Sequence, residues 1–356
     1  MTLIDRIAFA APVAGGLVLL AAFLGFAAVP VTGIVLGAVV LAAVHHAEIV
    51  AHRVGEPFGT LILAVAVTVI EAGLVLSLML TSPEAAATLA RDTVFAACMI
   101  ILNLLLGLCL IAGARHVRAA RFTRTGATAA LSTLATLMVL TLVLPNFTTT
   151  VRGPTYSTTQ LGFVAAFSLL LYLTFVFVQT VGNRDYFLPK PEMRAAPEAH
   201  AERPGLRQTY LALGALIVSL GAVILLAKTL SKPIENAVAA AGAPQAVVAI
   251  AIAAIVLLPE NVAAVRAANA NRLQTSLNLA LGSALATIGL TIPVVTVTSF
   301  ALDLPLALGL DAKSTVLLAL TLFISALSLA RGRTTVLHGA VHLVVFAAYL
   351  VMTILP

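Results

Sequence analysis

An all-α polytopic membrane protein is the fold class this sequence predicts, with about eleven transmembrane helices: two inverted five-helix repeats and one extra N-terminal helix. Three observations predict it. The 356 residues are 61% hydrophobic and 10% charged, where a soluble globular chain carries about 25% charged residues. The apolar residues fall in runs close to the ~20 residues that a spanning helix needs. Two of those runs, in matching places of the two halves, carry a glutamate deep inside.

The spans follow in order as 7–27, 33–50, 58–80, 93–113, 126–146, 160–181, 208–230, 244–266, 276–299, 313–330 and 335–355. Charged residues separate them. Arg6 precedes the first, which also has the look of a signal peptide. Its leading segment holds one Arg and one Asp, and the run is long enough to span, so it reads as a retained helix. Arg53 follows the second span, and Arg91 lies between the third and fourth. Arg115, Arg118, Arg121 and Arg124 separate the fourth from the fifth, and Arg152 the fifth from the sixth. The segment 182–207 is rich in Pro and charge and reads as a mobile linker. Lys228 and Lys232 end the seventh span, and Arg266 and Arg272 follow the eighth. Lys313 opens the tenth, and Arg331 and Arg333 precede the last.

The loops on the N-terminal side hold fifteen of the twenty Lys and Arg residues. By the positive-inside rule that side is cytoplasmic, so the N-terminus lies inside and the C-terminus outside, in a bacterial-type inner (plasma) membrane. The net charge of +6 reads as loop orientation, because no aromatic or basic nucleic-acid motif accompanies it. The expected partners are the lipid bilayer, small inorganic cations and protons, and no nucleic acid. The Arg cluster at 115–124 is first a topology signal and second a contact for anionic lipid. Cys98 and Cys109 share one apolar run and read as small packing residues.

The linker divides the chain into an extra helix (1–32), a first repeat (33–181) and a second repeat (208–356). In the first repeat Glu48 ends one span and Glu71 sits deep in the next. In the second, Glu235 follows one span and Glu260 sits deep in the next. Asn103 in the following span lies about where Thr287 lies in its counterpart. An odd number of spans per repeat inserts the copies with opposite topology, and inverted repeats of this kind build secondary transporters with the ion site at the midplane.

Burying a carboxylate at that depth costs about 2.5–3.5 kcal/mol on insertion scales, so such residues are rare and usually functional. Pro259 adds a second feature, because it cannot donate to the carbonyl of Ile255 and leaves that oxygen free beside Glu260. No Lys or Arg lies deep enough to pair with Glu71 or Glu260. The two acids can then hold protons, or they can hold a cation, and competition between the two is the chemical basis of exchange. The bland alternative is a pair of protonated acids that glue helices. The neighbours supply hard oxygen ligands, which suit Ca²⁺ or Na⁺. Thr68 lies one turn before Glu71, Asn261 is beside Glu260, and Asn103, Asn278, Ser283 and Thr287 occupy the following spans. Each of these polar residues also has a plain role as an interhelical hydrogen-bonding group. His45 and His46, one turn before Glu48, are a proton relay or interfacial residues. His338 and His342 share a helical face, but HGAVH lacks the acid of a zinc-binding HExxH, and helix packing is the better reading.

Two stretches, HHAEIVAHRVGEPFGTLILAVAVTVIEAGLVLSLML and LLPENVAAVRAANANRLQTSLNLALGSALATIGLTIP, resemble the signature regions of the ChaA-type cation/proton antiporters. That group belongs to the calcium/cation antiporter superfamily, with the vacuolar calcium/proton exchangers. The resemblance covers nearly the whole chain. The glutamates of the family's Gly-Asn-Ala-x-Glu type motif match at Glu71 and Glu260, while the rest reads AVTVIE and AIVLLPE. It implies alternating access driven by a proton gradient, with Glu71 and Glu260 as the shared cation and proton site and Glu48 and Glu235 at the entrances. No cofactor is expected. The cargo order is calcium, then sodium, then potassium, since two carboxylates favour a divalent ion. A cation channel or a sodium-only exchanger is the nearest alternative. An intramembrane enzyme is remote, because no HExxH or GxSxG accompanies the glutamates.

Overall fold

The computed structural model describes residues 3–26, 28–55, 58–81, 83–115, 119–188, 204–244 and 246–355. The described residues are mostly helical, as an apolar chain of this composition is expected to be. Lipid offers the backbone no hydrogen bonds, so each span must satisfy its own. The helices are α1 (Leu3–Phe23), α2 (Val29–Val54), α3 (Phe58–Thr81), α4 (Pro83–Met99), α5 (Leu106–Ala114), α6 (Arg124–Met138), α7 (Thr158–Phe177), α8 (Leu206–Ala240), α9 (Ala246–Asn269), α10 (Leu273–Leu302), α11 (Ala312–Leu329) and α12 (Val336–Ile354). A π-helical segment, Ile100–Leu105, joins α4 to α5 into one continuous span.

Each of the eleven expected stretches overlaps a helix. Eight helices among the described residues are long and apolar enough to cross a membrane, or nine with the bent α9 counted as one span. By that measure the number is below the expected eleven. The apolar stretches of α1 and α3 are shorter, Ile7–Phe23 and Val65–Ser77. Within the linker, 189–203 lies outside the described residues, and so do Lys190, Arg194, Arg203 and Arg118.

Local chemistry fixes several helix starts. Pro30 stands in the first turn of α2, where its missing N–H costs nothing. Ser157 and Gln160 form a reciprocal capping box at the start of α7. The Asp311 carboxylate accepts from the Ser314 N–H at 3.0 Å and caps α11.

Hydrogen bonds tie loops that share a side. On the N-terminal side Arg53 donates to the Pro204 carbonyl at 3.1 Å, and the Thr123 N–H donates to Gln274 Oε1 at 2.6 Å. There two short strands, β1 (Ala120–Arg121) and β2 (Arg333–Thr334), pair antiparallel with Ala120 opposite Thr334. On the opposite side Arg91 donates to the Gly309 carbonyl at 2.9 Å and Asn146 to the Leu310 carbonyl at 2.6 Å.

The buried apolar residues form two cores. The larger gathers α4, α5, α6 and α10 with parts of α7, α9, α11 and α12. The smaller lies between α1, α2 and α8. α3 contributes to both, with Ile70 and Leu74 in the smaller core and Val75 and Met79 in the larger. α9 does the same, with Val256 in the smaller and Ala253 and Leu257 in the larger. The two glutamate-bearing helices thus stand on the boundary between two packed bodies.

Close approach depends on small residues. A Cβ placed on Gly339 of α12 would lie 2.5 Å from the Gly107 carbonyl oxygen and 3.0 Å from the Ile111 nitrogen of α5. Both are backbone atoms that cannot step aside. Gly339→Ala is therefore expected to destabilise the protein by about 1–3 kcal/mol, the usual range for overpacking. A fall in the melting temperature of the detergent-purified variant checks this.

Candidate functional site

The site is built by three helices. α3 carries Thr68 and Glu71, and α9 carries Pro259, Glu260 and Asn261. α10 packs against both and presents Ser283 and Thr287, one turn apart on one face. α10 can press into the bundle because its own surface is small: a Cβ on Gly289 would lie 2.5 Å from Tyr172 Cβ of α7. α9 bends by 53° between Ala246–Leu258 and Glu260–Asn269. A proline removes one helical hydrogen bond and crowds the preceding turn, which is a sufficient cause for such a bend.

Both carboxylates are buried, Glu71 at 3% exposure and Glu260 at 5%. The Ser283 hydroxyl donates to Glu260 Oε2 at 2.7 Å. The Thr287 hydroxyl donates to Glu71 Oε2 at 2.7 Å. Among the described residues Glu71 Oε1 has no hydrogen-bond partner. Glu260 is close enough to act electrostatically on Glu71. Among the described residues neither glutamate joins an ion pair; the ion pair seen there is Arg91–Asp92, at 2.8 Å. The arrangement is two acids held by two neighbouring hydroxyls, with an open oxygen and no fixed cation.

A cavity of about 10 Å³ lies beside Glu71, lined also by Thr93, Leu74, Ile252, Ala253, Val256 and Leu257. That is about the space of one water. A second small cavity, about 20 Å³, lies between α2, α8 and α9 and is lined by Leu36, Val40, Leu230 and Ser231. Leu74, Ile252 and Val256 border both cavities and form an apolar partition between them.

The other expected residues fall into two groups. Thr68 is buried one turn before Glu71. Asn261 keeps a buried Oδ1 without a hydrogen bond beside Glu260. Asn103 and Asn278 do not join the glutamates. Asn103 sits in the π segment and donates to Thr321 of α11 at 3.0 Å. Asn278 donates to the Phe187 carbonyl at 2.6 Å and accepts from Gln274 at 2.9 Å, which ties the start of α10 to the loop after α7. Glu48 lies where His45 and Arg266 act on it electrostatically, at the N-terminal-side ends of α2 and α9. Glu235 is half-buried on α8. His46 is fully buried, 3.2 Å from the Ala8 carbonyl and with its ring 4.6 Å from that of Phe9, so it packs α2 on α1. His338 caps α12 together with Thr335, while His342 bonds Ser328 of α11 at 3.2 Å. Among the described residues no group of three or more His, Cys, Asp or Glu could hold a metal. Cys98 and Cys109 are buried and free.

Sequence reasoning missed Thr93 and Thr321. Among the described residues Thr93 is the one other polar side chain lining the Glu71 cavity, and its signal was only a hydroxyl just beyond a charged pair. Thr321 receives Asn103 across 218 residues, a pairing no local pattern announces.

The sequence profile of the sodium/calcium exchanger protein family matches residues 21–181 and 211–355. Over 325 residues the chain is 51% identical to a Sinorhizobium fredii (strain NBRC 101917 / NGR234) protein named "Putative ionic transporter y4hA", covering 91% of this chain and 87% of that one. It is 36% identical over 312 residues to the sodium-potassium/proton antiporter ChaA of Escherichia coli (strain K12), covering 87% of this chain and 84% of that one. In fold it is similar to the crystal structure of the H⁺/Ca²⁺ exchanger CAX, with a TM-score of 0.72 at 13% identity over 98% of this chain and 89% of that one.

Proposed function

The chain belongs to the sodium/calcium exchanger protein family, and from that premise we propose that it is a secondary antiporter in which a cation and protons compete for Glu71 and Glu260. One observation carries the reading. Two buried carboxylates from the two halves of the chain meet on one face of α10, each accepting from a hydroxyl of that helix, and among the described residues neither joins an ion pair. Two bare carboxylates are costly in a low-dielectric interior. Two protons neutralise them, and so does one divalent cation, or a monovalent cation with one proton. Each loaded form is neutral and can be reoriented, whereas the empty dianion is held back. That difference couples the two fluxes.

The glutamates lie where the smaller core meets the larger. Rocking of α1, α2 and α8 against the larger body, about the inverted repeats 33–181 and 208–356, exposes the pair to one side and then the other. The apolar partition of Leu74, Ile252 and Val256 closes the pair from the α2–α8 cleft in this conformation. The loop charge bias sets the N-terminus in the cytoplasm and the C-terminus outside, in an inner-membrane setting. Calcium is the first candidate cargo by charge. Sodium and potassium stand beside it, because the relative at 36% identity is named for those ions.

The test uses proteoliposomes with an acid interior and a pH-sensitive dye. CaCl₂, NaCl and KCl are added separately. Alkalinisation of the interior on adding one or more of them is the expected result and identifies the cargo. Ion uptake without proton movement supports a channel instead, and no response to any of the three removes the exchange reading for these ions.

A further inference from the structure

A second buried polar assembly lies away from the glutamates. Thr321, Ser325 and Ser328 form one stripe of α11, each at most 1% exposed. They face Asn103 in the π segment and His342 on α12, both fully buried. Two bonds bracket the row: Asn103 Nδ2 donates to Thr321 Oγ1 at 3.0 Å, and His342 Nε2 lies 3.2 Å from Ser328 Oγ. Between them two polar atoms find no hydrogen-bond partner among the described residues: Asn103 Oδ1 and Ser325 Oγ. The Leu102 carbonyl of the π segment lies against the His342 ring. Buried polar groups are nearly always satisfied by protein or by ordered water. Two orphaned atoms along one seam mark places for water.

We propose that this seam is a hydrated proton path, running from the β1–β2 side of the protein through His342 and Ser328, Ser325 and Thr321 to Asn103, and separate from the cleft that admits the cation. The inference rests on the exchange reading above. The chemistry needs no net bond change. A proton taken by one imidazole nitrogen is matched by one released from the other to Ser328, and hydroxyls and water pass it on while Asn103 orients the last water. The inner end is well placed, because the π segment packs against α9 and α10, which carry Glu260 and its hydroxyl partner. The outer end lies in the first turns of α12, where His338 is the titratable group that acts on His342. The elements packed on α12 otherwise bring Asp92 and Cys98 from α4, next to Tyr349 at the other end of α12, Cys109 from α5, Lys313 at the far end of α11, Glu260 and Arg266 from α9, and no titratable group from the π segment.

Two fluxes separate a proton path from a packing seam. Cation-triggered proton flux needs the path. Self-exchange of labelled calcium or labelled sodium, with the same ion on both sides and no pH gradient, needs only the glutamate pair. His342→Gln preserves a hydrogen bond to Ser328 but cannot titrate, and Ser325→Ala removes the middle hydroxyl. Proton flux is expected to fall about tenfold or more in His342→Gln, and measurably in Ser325→Ala, with self-exchange near wild type. Unchanged proton flux in both variants, or equal loss of both fluxes, overturns the path while leaving exchange intact. Should His342→Gln fail to fold, Ser325→Ala decides alone. Wild-type vesicles that show neither flux overturn the exchange reading, and the path with it.

Discussion

Glu260→Gln is expected to abolish cation-coupled proton flux while the protein still folds. A glutamine neither takes up nor releases a proton and carries no charge for a cation, so flux is expected to fall by a factor of about 100 or more. The glutamine amide oxygen can still accept from Ser283, whose hydroxyl reaches Glu260 Oε2 at 2.7 Å. The packing around it, where Ala264 and Leu257 are buried, is unchanged in volume. The variant should therefore purify with a melting temperature near that of the wild type. Glu71→Gln should behave alike, because Glu71 is as deeply buried and as singly bonded. Flux per reconstituted protein is the measurement. A Gln variant that exchanges at the wild-type rate would show that this carboxylate is not the site.

The second large effect is expected from α10. Both hydroxyls that hold the pair come from this one helix, Ser283 for Glu260 and Thr287 for Glu71. A hydrogen bond to a charged group contributes about 1.5–3 kcal/mol. Losing both in a Ser283→Ala, Thr287→Val double variant should weaken cation binding by about 100-fold, with each single variant near tenfold. The hydroxyls support the unprotonated carboxylates that bind the ion, so the loss should shrink as pH rises and competing protons are removed. Apparent KM for the cation, measured at several pH values, reads this. A loss of the same size at every pH would assign the hydroxyls a packing role only.

The glutamates were legible because a charge in an apolar run is rare enough to be read alone. Ser283 and Thr287 were legible because α10 is regular there, so helical spacing puts them on one face. Asn103 was placed with them by the same spacing and belongs elsewhere. The π segment Ile100–Leu105 adds to each turn, which rotates Asn103 towards α11. No sequence pattern announces that wider turn. Asn278 was misread for another reason: its partner, the Phe187 carbonyl, lies in a loop 91 residues away. Helix lengths also escaped. α8 runs from Leu206 to Ala240, through Lys228, Lys232 and Pro233, well past the expected apolar run. The β1–β2 pair is two residues long on each strand, too short for any alternation to show.

The central claim is that the cation and protons occupy the same two carboxylates. Calorimetric titration of the detergent-purified protein with calcium and with sodium, repeated in buffers of different ionisation enthalpy, counts the protons displaced. The account predicts release of about one to two protons for each cation bound, and loss of both binding and release in the Glu71→Gln, Glu260→Gln double variant. Cation binding with no proton release, or release that survives in the double variant, would contradict it.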